Sequence, residues 1–164
     1  MASNDTGSSS QEFFDLHVRG YGYLNRPRLV HPRGKGNRRS DPFLACAINA
    51  LHGSKDDPNT SYFDCRVSGT DAQAIVQALI PEVEADKKVL VAFVIGDIYA
   101  HHYERNASGS QQKEIASLIK GRLLQITCVK VDGEVVYRLD RDSGLVTTTL
   151  NLAEAPAKRT GTDG

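Results

Sequence analysis

Residues 60–81, TSYFDCRVSGTDAQAIVQALIP, change their hydrophobic period in mid-run, and that change decides the fold. Up to Ser68 the period is two. Phe63, Cys65 and Val67 point one way, and Tyr62, Asp64, Arg66 and Ser68 the other, which predicts a strand from Thr60 to Ser68. After Gly69 the apolar residues Ala72, Ile75, Val76 and Leu79 fall on one face at helical spacing. Thr70 is the expected N-cap, Gln73 completes a capping box, and Pro81 is the expected stop.

Toward the N-terminus, Gly53–Asn59 reads as a turn and Phe43–Leu51 as a strand that is nearly continuous in apolar residues. Asn25–Pro42, rich in Pro, Gly and Arg, predicts a loop. Phe14–Leu24 alternates, with Leu16, Val18, Gly20, Gly22 and Leu24 on one face, and its glycines suggest a bend or bulge. Toward the C-terminus, Lys88–Tyr99 predicts a fourth strand that could continue to Tyr103. Gln111–Ile119 predicts a short helix, with Ser108 and Gln111 as its capping box and Gly121 as its stop. Arg122–Val131 is a fifth strand, Asp132-Gly133 a hairpin turn, Glu134–Leu139 its return, and Val146–Leu152 a short edge strand. Three strands, a helix, two strands and a hairpin extension suit a mainly β, five-stranded Greek-key OB-fold barrel with the helix between strands three and four. Other small α+β folds share such an order.

The 164 residues suffice for one domain with a core, expected over 12–152. Residues 1–11 read as a disordered lead-in and 153–164 as a flexible tail. No apolar run approaches the roughly 18–20 residues of a membrane span, and Met1–Ser10 has no secretory h-region, so a cytoplasmic protein without membrane contact is expected. Cys46, Cys65 and Cys128 are odd in number and sit in apolar segments, which predicts buried, reduced thiols.

The formal net charge is zero, but the positive charge is concentrated. Residues 16–40 carry Arg19, Arg26, Arg28, Arg33, Lys35, Arg38 and Arg39 and no Asp or Glu. Such a patch attracts a phosphate backbone by Coulomb energy and counterion release. Aromatic residues are interleaved: Tyr21 and Tyr23 lie on the polar face of the first strand, and Tyr62 lies beside Arg66 on the third. Aromatic platforms next to cations hold single strands by stacking, without reading sequence. Tyr103 and Arg105, in the segment YAHHYER of residues 99–105, would join them where the fourth strand runs into its loop. His101-His102 has no Cys or carboxylate at metal-ligand spacing, so no metal is expected. Gly34-Lys35-Gly36 lacks the rest of a phosphate-binding loop, and there is no nucleophile elbow or paired acidic motif, so neither an enzyme nor a cofactor is expected.

The run Leu44–Tyr103, with ACAINALHG, TSYFDCRVSG and KVLVAFVIGDIYAHHY, resembles the bacterial single-stranded DNA-binding protein family in order and spacing. That resemblance implies that Tyr62 stands where the family has a base-stacking tryptophan, and Tyr103 where it has the aromatic closing strand four. The whole chain, including YGYLNRPR and FLACAINALHG, also resembles replication-associated proteins of bacterial integrative and conjugative elements. The implied function is binding single-stranded DNA in replication or transfer of such an element, as a homo-oligomer, dimer or tetramer, alongside replication or conjugation proteins. The chain departs from the family in having no Trp, an unusually long basic loop, and a C-terminus, AKRTGTDG, without the acidic tip that recruits partners. A strand-annealing or replication accessory preferring duplex or RNA, and an oligomeric scaffold needing no DNA, are the alternatives.

Overall fold

The computed structural model describes residues 12–33 and 41–152. The expected lead-in and tail, and residues 34–40 with Lys35, Arg38 and Arg39, lie outside the described residues. The elements are β1 (His17–Val30), β2 (Phe43–Gly53), β3 (Pro58–Val67), α1 (Thr70–Glu84), β4 (Val89–Asn106), β5 (Lys113–Val131), β6 (Glu134–Leu139) and β7 (Val146–Thr148). The protein is mainly β. Antiparallel pairs join β1 to β2, β2 to β3, β1 to β4 and β4 to β5, while β3 and β5 run parallel, so five strands hydrogen-bond in a ring. β6 and β7 continue the sheet outward from β5.

The core fills the ring from the faces that the alternation assigns inward. Ile48, Phe63, Cys65, Val67, Val91, Ile95, Leu123 and Ile126 are buried. α1 adds Ala72, Ile75, Val76 and Leu79 and packs against β1 and β5. β1 and β2 approach closely at Gly22, where a Cβ would lie 2.7 Å from the Asn49 carbonyl oxygen and from Ile48 Cγ2. Close approach, not a bulge, therefore explains that glycine.

Several local expectations are corrected. Gln111–Ile119 is not a helix. From Lys113 onward it is β5, paired with β4 from Asn106↔Lys113 to Tyr99↔Lys120, and these ladder bonds replace the helical ones. The capping box expected from Ser108 and Gln111 is a hairpin turn instead. Gly109 has φ +76, and the Ser110 hydroxyl accepts from the Gln112 amide. Asn25–Val30 is strand, not loop. The chain absorbs Pro27 in a bulge between Asn25 and Arg28, where Pro needs no ladder donor and Arg26 takes φ +48. Gly69, not Thr70, is the N-cap, and Gln73 uses its side-chain amide to donate to the Val67 and Ser68 carbonyls. Pro81 lies inside α1, on its exposed face, where water can bond the carbonyl one turn earlier that its ring leaves without a donor. The expected edge strand shortens to β7. At the β5–β6 turn, Asp132 (φ 48) and Gly133 (φ 87) both take the left-handed conformation that a tight hairpin requires.

The three cysteines are free, with Cys46 and Cys65 buried and Cys128 half-buried. Burial pushes the Cys46 thiol up to about 12 and raises Cys65 further. Their unfolded value is 9.0. The unfolded chain therefore ionises first as pH rises. The stability these thiols contribute is complete below pH 9 and falls between about 9 and 12. Melting curves across that window should show the fall, and Cys46→Ala with Cys65→Ala should flatten it.

Candidate functional site

Strand register places the outward side chains in rows across β1, β2, β3 and β5. One row runs Tyr23↔Asn49↔Tyr62, and the next Asn25↔Ala47↔Asp64↔Lys120. A third runs Arg28↔Ala45↔Arg66↔Arg122. With neighbouring strands about 4.8 Å apart, each row spans the width of a nucleotide or two.

These rows floor three adjoining clefts. The first lies between Arg26, Tyr62, Tyr103 and Leu118. The second, lined by Arg28, Tyr99 and Lys120, meets the first at Asp64. The third, lined by Arg122 and the start of β2, meets the second at Phe43 and Arg66. Together they form one open groove along the parallel seam of β3 and β5. Tyr62 and Tyr103 are 38% and 36% exposed.

Charge and hydrogen bonds fix these side chains in place. Arg26 donates to the Tyr62 hydroxyl at 3.2 Å, which ties the bulge of β1 to the ring on β3. The Arg66 guanidinium lies 4.4 Å over the Phe43 ring. Arg28 pairs with Asp64 at 3.1 Å. Arg122 donates to the Ser68 hydroxyl at 2.8 Å and to Asp97 at 3.2 Å. Among the described residues no carboxylate lies within 4 Å of Arg26, Arg66 or Lys120, so the groove keeps an excess of positive charge.

The structure brings together Arg26, Arg28, Tyr62, Arg66 and Tyr103 of the expected residues, with Tyr23 in the row of Tyr62 but two strands away. Tyr21 faces outward on β1, opposite Ala92 of β4 and further from the seam. Arg19 opens into a separate depression beside Gly69 and Thr70. Arg33 is exposed just beyond β1, and Lys35, Arg38 and Arg39 lie outside the described residues. Sequence reasoning missed Tyr99, Lys120, Arg122 and Phe43. The signal for two of them is the alternation Leu118, Lys120, Arg122, which a helical reading of that segment hides. His101 stacks on Tyr103, with ring centres 6.1 Å apart, while strand alternation turns His102 to the other face.

Residues 7–144 match a family model described as "Protein of unknown function (DUF3577)". The chain belongs to this family. No curated protein and no solved structure matches the chain. Among the described residues no group of three or more His, Cys, Asp or Glu is placed to hold a metal ion, and no helix is long and apolar enough to cross a membrane.

Arg105 neighbours Tyr103 but does not itself line the clefts. It lies near the tip of the β4–β5 arm and donates to Glu114 at 2.7 Å, and this hydrogen bond raises its pKa. With its charge already matched, Arg105→Ala should change affinity for any polyanion by less than about twofold, in line with the small worth of exposed ion pairs. Arg66→Ala should weaken binding several-fold. Parallel titrations of the two variants check the contrast.

Proposed function

We propose that this chain is an OB-fold protein that binds single-stranded DNA along the β3–β5 seam and carries out no chemistry of its own. A ring of five strands with its helix between the third and the fourth suits a Greek-key OB barrel, whose strand two–three face takes up nucleic acid. The observation that carries the reading is the single groove containing Tyr62 and Tyr103 with Arg26, Arg66 and Lys120. Tyrosine faces stack bases, the cations neutralise phosphates, and neither group reads sequence. The setting, replication or transfer of a conjugative element in the cytoplasm, rests on the sequence resemblance.

Assembly into a dimer or tetramer belongs to the same proposal. β1 accompanies β4 only as far as Gly96, so the arm formed by residues 97–106 and 113–118 has strand edges without a partner among the described residues. Ile115 on that arm is 77% exposed, which favours a protein contact and keeps the oligomeric scaffold as a second reading.

Titration of labelled oligothymidylate, competed by duplex DNA and by RNA, tests the function. Saturable binding that excess duplex fails to displace supports it. Equal competition by duplex or RNA favours the strand-annealing or replication accessory. No binding at low salt leaves the scaffold.

A further inference from the structure

We propose that the cleft between α1 and the start of β2 holds one whole nucleotide of the bound strand, base as well as phosphate. This rests on the single-strand reading of the adjoining groove, which the cleft continues past Arg66. It has a volume of about 680 Å³, within the range of small-molecule sites. Three kinds of surface converge on it.

The first is apolar and flat. Phe43 is half-buried with one face under the Arg66 guanidinium, and Leu29 is an exposed aliphatic side chain beside it. The second is a pair of amides. Gln73 and Gln77 lie one turn apart on α1 and both line the cleft. Gln73 spends its amide nitrogen on the Val67 and Ser68 carbonyls, which orients the side chain and leaves its oxygen as an acceptor. Gln77 is exposed and makes no side-chain hydrogen bond among the described residues, so it can present a donor and an acceptor side by side. That pairing matches the edge of a nucleobase. The third surface is cationic. Arg66 has no carboxylate within 4 Å among the described residues, and Arg122, with Nε on Ser68 and Nη1 on Asp97, keeps its other terminal nitrogen for a phosphate oxygen. An apolar platform, a donor–acceptor pair and a cation with no counter-charge together describe a nucleotide more closely than a peptide or a lipid headgroup. Where the groove stacks bases without reading them, this cleft contacts a base edge.

The side-chain amide signals of Gln73 and Gln77 report on the cleft directly in NMR spectra of the full chain. Deoxyadenosine monophosphate should shift both signals saturably, and oligothymidylate should shift the same pair. Deoxyadenosine, which lacks the charge-assisted contact, should bind about tenfold more weakly or worse. Gln77→Ala places a good helix former at an exposed position, so the fold should stand, and the mononucleotide should bind about three- to tenfold more weakly for the lost hydrogen bond. The proposal is overturned if neither probe moves the two amides while Tyr62→Ala still weakens oligonucleotide binding, and the groove reading then survives alone. If the mononucleotide moves them and no oligonucleotide binds, the single-strand reading fails and the cleft stands as a site for a free nucleotide.

Discussion

Phe63→Ala should destabilise the protein by about 3–5 kcal/mol, the usual cost of removing a large ring from a packed core. Its neighbour Tyr62→Ala should cost little stability and about 1–3 kcal/mol of single-strand affinity. The two residues point to opposite sides of β3. Phe63 is 7% exposed, and its backbone is registered against Ile48 on β2 and Ile119 on β5, so its loss leaves a void inside the ring. Tyr62 stands over the groove, held by Arg26. Shortening it removes a platform and one hydrogen bond but little buried area. A one-residue slip of β3 would exchange the two roles, so the pair tests the register as well as the site. Thermal melts and oligonucleotide titrations on both variants provide the readout. Binding that survives Tyr62→Ala would move the stacking platform elsewhere, with Tyr103, Tyr23 and Tyr21 next to examine.

Affinity should also fall steeply with salt. About four to six phosphate contacts, each releasing about 0.7 counterions from a single strand, give a log–log slope near −3 to −4. Raising salt from about 50 to 200 mM should then weaken binding roughly 50- to 300-fold. The cations available in the described groove are Arg26, Arg28, Arg66, Lys120 and Arg122. Two of these are already matched to Asp64 and Asp97, which argues against a steeper slope. Arg66→Ala should make the slope shallower by about 0.7. A slope near zero would mean that phosphates are not what the groove holds.

The parts of this fold that were legible in the sequence are those set by local pattern. The alternation through Phe63, Cys65 and Val67 predicts which side of β3 is buried, because one face must meet the core and the other water. Asp132-Gly133 predicts its hairpin because both residues tolerate the left-handed backbone that the turn needs. The failures lie where distant partners decide. Ile115, Leu118 and Ile119 sit at helical spacing, and only the β4 partner strand, from Tyr99 to Asn106, makes that segment extended. In Asn25–Val30 the proline and arginines look like loop, yet β2 offers a ladder from Ala47 to Phe43 and a bulge accommodates Pro27.

The candidate site divides the same way. Tyr62, Arg66 and Tyr103 could be named from charge and aromatic interleaving along the chain. Lys120 and Arg122 share a face in the alternation Leu118, Lys120, Arg122, but only the parallel pairing with β3 sets them beside Asp64 and Arg66. Arg105 looked equivalent to the groove arginines in sequence, but the strand pairing of the arm gives it Glu114 as a partner.

Photo-crosslinking with single-stranded DNA carrying halogenated uracil, followed by mass mapping of the adducts, tests the central claim most directly. Such bases couple to the aromatic ring they stack upon. The account predicts adducts on Tyr62 and Tyr103, suppressed by unlabelled single strand and not by duplex. Adducts confined to β6, β7 or the outer face of α1, or none at all under conditions where the DNA is bound, would contradict it.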